Sequence, residues 1–275
     1  AEAVETALKL CRKWAYEVKG IPENEAQIIV CENNFHGRTT TIISFSNDES
    51  ARKNFGPFTN GFIKIPYDDV DALAKALASS KNIAGFLVEP IQGEAGVYVP
   101  TEGYLAQAKA LCEANNVLFI ADEVQTGIAR TGRLLATCGN CECKKGCENK
   151  PEVKPDILIL GKALSGGVFP VSAVLANNAI MNVINPGQHG STFGGNPIAA
   201  AVAIAALDVI KDENLAQNAA YLGEVFRHGL NEIASRNPLI QLVRGKGLLN
   251  AIVIDCEEDS ELAWEICLKF RDNGL

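Results

Sequence analysis

Five stretches of the chain read as strands that are apolar along their length instead of at alternate positions. They are AQIIVCEN (26–33), IAGFLVEP (83–90), VLFIADE (117–123), DILILG (156–161) and PVSAVLAN (170–177). Strands of this kind are covered on both faces. Helical patterns lie between them, DVDALAKALASS (69–80) and GYLAQAKALCEANN (103–116). Strands separated by helices predict an α/β fold with a mainly parallel, doubly wound sheet. Ligands of such sheets bind beyond the carboxyl ends of the strands, so the polar residues that close these runs are the candidates for chemistry.

From about residue 212 the pattern changes. A long helix covers ENLAQNAAYLGEVFRHGLNEIASR, LVRGKGLLNAIVID reads as a glycine-interrupted turn and a strand, and SELAWEICLKFRDNG reads as a helix. This predicts a large domain over 1–211, and over 212–275 a linking helix and the start of a small α+β domain. A length of 275 residues and a hydrophobic content of 47% support a sizeable core. The net charge of −8 argues against a nucleic-acid partner. The longest apolar run, 198–207, is roughly half of a bilayer span and is read as a buried helix. Val4, Leu8, Cys11, Ala15 and Val18 recur at helical spacing from the first residues, and Gly274 looks like a helix C-cap. The expectation is a piece of a longer chain, which leaves cytoplasm and mitochondrial matrix undecided. Cys11, Cys31, Cys112, Cys256 and Cys267 sit in apolar patterns and are expected to be small buried hydrophobes.

VLFIADE brings Asp122 and Glu123 to the end of a buried strand. A carboxylate there is desolvated unless it meets a cation or caps a helix. DILILGKALSGG places Lys162 at the end of another. A structural ion pair of Lys162 with Asp122 or Glu123 is one reading. A lysine that attacks a carbonyl is the other. A carboxylate and such a lysine at neighbouring strand ends fit pyridoxal 5′-phosphate, which needs an amine for its aldehyde and an anion for its ring nitrogen.

The motifs NFHGRT, GPFTNGF, VEPIQGEAGVYVP, LFIADEVQTGIARTG, LGKALSGGVFPVSAV, HGSTFGGNP and RGKGLLNAIV resemble those of the class III aminotransferases of fold type I. The last of them and GKALSGG with PVSAV resemble the ornithine-specific branch. The resemblance implies a large domain with a mainly parallel sheet between helices, a homodimer with a shared active site, and ping-pong transfer of the δ-amino group of L-ornithine to 2-oxoglutarate. It implies roles residue by residue. Lys162 would carry the cofactor and move the substrate proton, and Asp122 would hold the protonated ring. Gln125 would donate to the ring's 3′ oxygen. Phe35 would stack on its face, although a core aromatic is the plainer reading. Ser191 and Thr192 would reach the phosphate of the partner subunit's cofactor, and Ala1 would be the tail of the phosphate loop. Arg38 would clamp a substrate carboxylate, and Glu94 would neutralise a mobile arginine outside this chain. His36 either edges the site or is structural. His189 is expected to order its own turn and His228 to face solvent. Other class III aminotransferases, acting on acetylornithine or GABA, and a non-catalytic relative remain alternatives.

One stretch departs from the family pattern. Within the insertion at 137–154, Cys138, Cys141, Cys143 and Cys147 form C-x₂-C-x-C-x₃-C. Four thiolates suffice for tetrahedral zinc, but the spacing is compressed and holds one CxxC. Zinc, a redox-active thiol pair favoured by Lys144 and Lys145, and an inert loop are the three readings.

Overall fold

A computed structural model of the chain describes residues 2–138, 153–257 and 260–275. Six strands form one sheet: β1 (Gln27–Cys31), β2 (Phe62–Ile65), β3 (Ile83–Val88), β4 (Leu118–Asp122), β5 (Ile157–Leu160) and β6 (Ala173–Ala176), in the order β2-β1-β3-β4-β5-β6. β1 to β5 run parallel to one another. Alternate residues feed opposite faces, as strand geometry requires. Ile28, Val30, Leu87 and Ile120 pack under the Glu2–Trp14 helix, against Val4 and Leu8. Ile29, Phe86 and Phe119 pack under the Val70–Ser79 and Tyr104–Ala114 helices, against Leu73 and Tyr104. Gly85 is required by this closeness, since a Cβ there would lie 2.6 Å from Cys11 Sγ.

Three elements differ from the sequence expectation. β2 was not legible as a strand, being four residues long with Lys64 exposed at the sheet edge. β6 is antiparallel to β5. A parallel return usually needs a crossover helix, and between β5 and β6 the chain forms only the 3₁₀ turn Lys162–Ser165, followed by the left-handed pair Gly166 and Gly167. LVRGKGLLNAIVID is two strands, β7 (Ile240–Lys246) and β8 (Leu249–Ile254), paired as an antiparallel hairpin.

Two burial expectations also change. The Pro197–Asp212 helix has only Ala199 buried, while Ile198 and Ile204 are 62% and 61% exposed. It packs on the 162–165 turn and the Leu215–Ala234 helix, and the rest of its apolar surface faces outward. Cys11, Cys31 and Cys112 are buried as expected, but Cys256 and Cys267 are exposed. They lie beyond the six-stranded sheet, just after β8 and on the Leu262–Asp272 helix, which buries no residue.

The hairpin is seated by backbone on backbone. Leu248 N–H donates to Arg130 O at 3.0 Å, and Arg227 donates to Gly247 O and Asn250 Oδ1. A Cβ on Gly223, in the Leu215–Ala234 helix, would lie 2.0 Å from Gly247 O. Gly223→Ala is therefore expected to destabilise the protein by about 1–3 kcal/mol, the usual cost of overpacking. Denaturant unfolding measures this, and an unchanged midpoint would show that the hairpin is not held at this contact.

Candidate active site

The carboxyl ends of β3, β4 and β5 open on a cavity of about 1150 Å³. Phe35, His36, Asp122, Gln125, Lys162 and Ser191 all border it. The first turn of the Glu2–Trp14 helix, Glu2 to Val4, borders it too.

Asp122 closes β4 and is buried. Its Oδ2 lies 2.7 Å from His36 Nδ1, and its Oδ1 accepts from Val124 N–H at 3.1 Å. An ionised carboxylate only accepts, so Nδ1 is the donor. Burial alone would lower the His36 pKa. The hydrogen bond and charge of Asp122, with the charge of Glu89, outweigh it and hold the imidazole above its ordinary value. His36 is thus the counter-charge of a buried carboxylate, a role the sequence reading left open.

Glu123 does different work. It is fully buried and accepts from Thr126 Oγ1 at 2.5 Å and from the N–H groups of Ala136 and Thr137 at 3.1 and 2.8 Å. Burial raises its pKa and these bonds oppose the rise. Neither Asp122 nor Glu123 is the ion-pair partner of Lys162. That partner is Glu94, whose Oε1 lies 4.0 Å from Lys162 Nζ with both side chains half exposed. Gln125 Nε2 donates to the same oxygen at 3.3 Å.

Lys162 follows β5 with φ 43°, a left-handed conformation that costs a non-glycine residue on the order of 1 kcal/mol. Strain of this kind clusters at functional positions. Phe35 is 36% exposed, and Arg38 sits with its guanidinium carbon 5.8 Å from the ring centroid. Arg38 and Glu94 do not border the main cavity, but they reach it through Phe35 and through Lys162 and Gln125. Ser191 borders the cavity of its own chain, whereas Thr192 does not. His189 does not order its own turn. Its ring lies 3.1 Å from Thr6 Oγ1 and 3.0 Å from Lys9 Nζ, on the first helix. His228 is exposed, as expected, and lies 3.4 Å from Glu232.

Ala1, Cys141, Cys143 and Cys147 lie outside the described residues. Cys138 ends the 3₁₀ turn Ala136–Cys138. Among the described residues no group of three or more His, Cys, Asp or Glu side chains could hold a metal ion, and no helix is long and apolar enough to cross a membrane.

An exposed aromatic wall, a dry carboxylate with its own imidazole, a primary amine and a side-chain amide converge on one cavity. That donor set fits pyridoxal phosphate. The family model of the class III aminotransferases matches residues 1–275. The chain belongs to the class III aminotransferases. Their cofactor is pyridoxal phosphate, and their fold type I architecture is the sheet described above. A mitochondrial ornithine aminotransferase of Drosophila ananassae is 55% identical over 274 residues, which cover all of this chain and 60% of that protein. The ornithine aminotransferase of Toxoplasma gondii superposes with a TM-score of 0.90 at 52% identity, over 99% of this chain and 62% of that one. The acetylornithine aminotransferase of Elizabethkingia anophelis superposes with 0.84 at 63% identity, over all of this chain and 64% of that one. The chain thus spans less than two thirds of these relatives.

In this class III aminotransferase the His36–Asp122 pair ties stability to pH. The folded-state pKa of His36 is raised above 6.5, so the stabilisation is fully present below about pH 6.5 and fades as pH rises through the folded value. The stability lost in His36→Gln is therefore expected to be larger at pH 6 than at pH 9. Melting curves of both proteins at the two pH values measure it, and an equal loss at both would show the pair is not ionic.

Proposed function

We propose that the chain is the cofactor-binding part of an ornithine δ-aminotransferase, which moves the δ-amino group of L-ornithine to 2-oxoglutarate and yields glutamate 5-semialdehyde and glutamate. The observation that carries this reading is Lys162 at the end of β5, beside the His36–Asp122 pair at the end of β4, in one cavity of a class III chain whose relatives include ornithine aminotransferases. Bound in that cavity, pyridoxal phosphate would supply an aldehyde that takes up the amino group and an electron-poor ring that accepts the electron pair of the broken C–H bond.

The residues of this chain would divide the remaining work. Asp122, hydrogen-bonded to His36, would keep a proton on the ring nitrogen. Lys162 would hold the cofactor through Nζ between turnovers, and during turnover the freed amine would carry the proton from the substrate carbon. Its φ of 43° and the left-handed Gly166 and Gly167 turn the chain just after β5. Phe35 would cover one face of the ring, and Gln125 would donate to its oxygen substituent. Arg38 suits a bidentate grip on a substrate carboxylate. Glu94, already 4.0 Å from one ammonium group, would hold a cation at the cavity mouth.

A homodimer is part of the proposal. Phe193 and Ile204 are exposed apolar residues that border the cavity together with Ser191, and Ile198 is exposed on the same helix as Ile204. A second copy packed there would cover these side chains and bring its own Ser191 and Thr192 near this cavity.

A second reading has one observation in its favour, the 63% identity to an acetylornithine aminotransferase. The two substrates share the terminal amine and differ in the α-nitrogen, a free ammonium in one and an amide in the other. Assay of the full-length protein with ornithine, N-acetylornithine and GABA decides between them. Ornithine is expected to give the highest kcat/KM, and a preference for N-acetylornithine would replace the first reading by the second. Lys162→Ala is expected to lower kcat by at least the 10²–10⁴-fold that a positioned proton carrier contributes, roughly. Turnover that survives this change would overturn the role of Lys162.

A further inference from the structure

Glu89 follows β3 directly, and its side chain is 6% exposed. Its Oε1 accepts from the Phe35 N–H at 2.8 Å, and its Oε2 accepts from the Gly93 N–H at 3.4 Å. Tyr67 fixes the backbone beneath, donating to the carbonyls of Glu89 and Pro90. One carboxylate therefore ties two loops across the end of β3. The first carries Phe35, His36 and Arg38. The second carries Glu94, and its Gly93 is pressed so closely on Gln125 that a Cβ there would lie 2.3 Å from Oε1. The charged and titratable groups around Glu89 are His36 and Asp122, with the Cys31 thiol and the Tyr67 hydroxyl on the strands and loop below.

The geometry points to Glu89 as a positioning residue of the site: its carboxylate holds the Phe35 wall and the Glu94 loop at a fixed separation and supplies a second negative charge to His36. The inference rests on the cofactor-binding reading above. Burial, opposed by His36 and the two N–H groups, pushes the Glu89 pKa up to about 7, so above neutrality the staple is anionic and its bonds are at full strength.

Glu89→Gln in the full-length protein keeps size and one acceptor oxygen and removes the charge. In the cofactor-free protein, hydrogen exchange at the Phe35 and Gly93 amides is expected to quicken by about tenfold or more, the loss expected for bonds to a charged acceptor, with the amides of β4 and β5 unchanged. With cofactor bound, the midpoint of the pH-dependent change in its visible absorption is expected to fall, because an anion that favoured the protonated form has gone. Glu89→Asp, which keeps the charge, is expected to return the midpoint towards native while the two amides stay fast, its carboxylate being one methylene short. Unchanged exchange at both amides overturns the proposal. So does faster exchange spread evenly over the sheet with an unmoved midpoint, the mark of a purely structural residue. If Glu89→Gln does not fold, the amide rates of Glu89→Asp decide in its place. Native protein without a visible cofactor band would sink the functional reading instead, and the amide comparison would still judge the staple.

Discussion

An imidazole and a carboxylate, both almost dry, lie 2.7 Å apart beyond the end of β4. A buried carboxylate without a counter-charge or hydrogen bonds is expelled from its site or takes up a proton. Asp122 has His36 on one oxygen and a backbone N–H on the other. To meet it, the segment after β1 must cross the end of β3, because the sheet order is β1-β3-β4. That crossing puts Phe35 on the cavity wall and brings the Phe35 N–H over Glu89. One electrostatic requirement thus sets the path of a loop, and the loop sets the shape of the cavity.

The ends of the strands were legible from sequence because β3, β4 and β5 are buried on both faces and read as unbroken apolar runs. Asp122 and Lys162 interrupt those runs, which is why they stood out. Partnerships were less legible. His36 and Asp122 are 86 positions apart, and no local period marks a contact of that range. Glu89 closes an apolar run in the same way as Asp122, but its partners are backbone N–H groups, which leave no side-chain signature. The ion pair of Lys162 with a strand-end carboxylate, one of the two readings left open, is not made, since its carboxylate is Glu94, from a loop. The edge strand β2 and the strand β7 escaped because they are short or only half buried, where the pattern that identifies a buried strand is weakest.

The sheet and its perimeter follow different physical rules. Around β1 to β5, helix and strand touch at distances that exclude even a methyl group, as at Gly85 against Cys11. Along the Pro197–Asp212 helix the apolar surface is continuous but faces outward. A helix with that composition is built for contact on several sides, and the contrast locates where further protein surface is needed.

The neck at Thr137 and Val153 bears on how this fold varies. Val153 N–H donates to Thr137 O at 3.2 Å, and Glu123 grips the Ala136 and Thr137 amides from inside. Thr137 and Val153 are therefore tied to each other, and Glu123 ties that closure to the residue after β4. Lengthening the excursion between those two residues costs loop entropy that grows only with the logarithm of its length, while the spacing of β4 and β5 is fixed by their own pairing. The thirty-nine positions that separate Asp122 from Lys162 in sequence are elastic, and the gap between them in space is not. Such a closure is a natural port, where a lineage can graft a new sensor, or an experimenter a probe, without moving the two strands on either side of it.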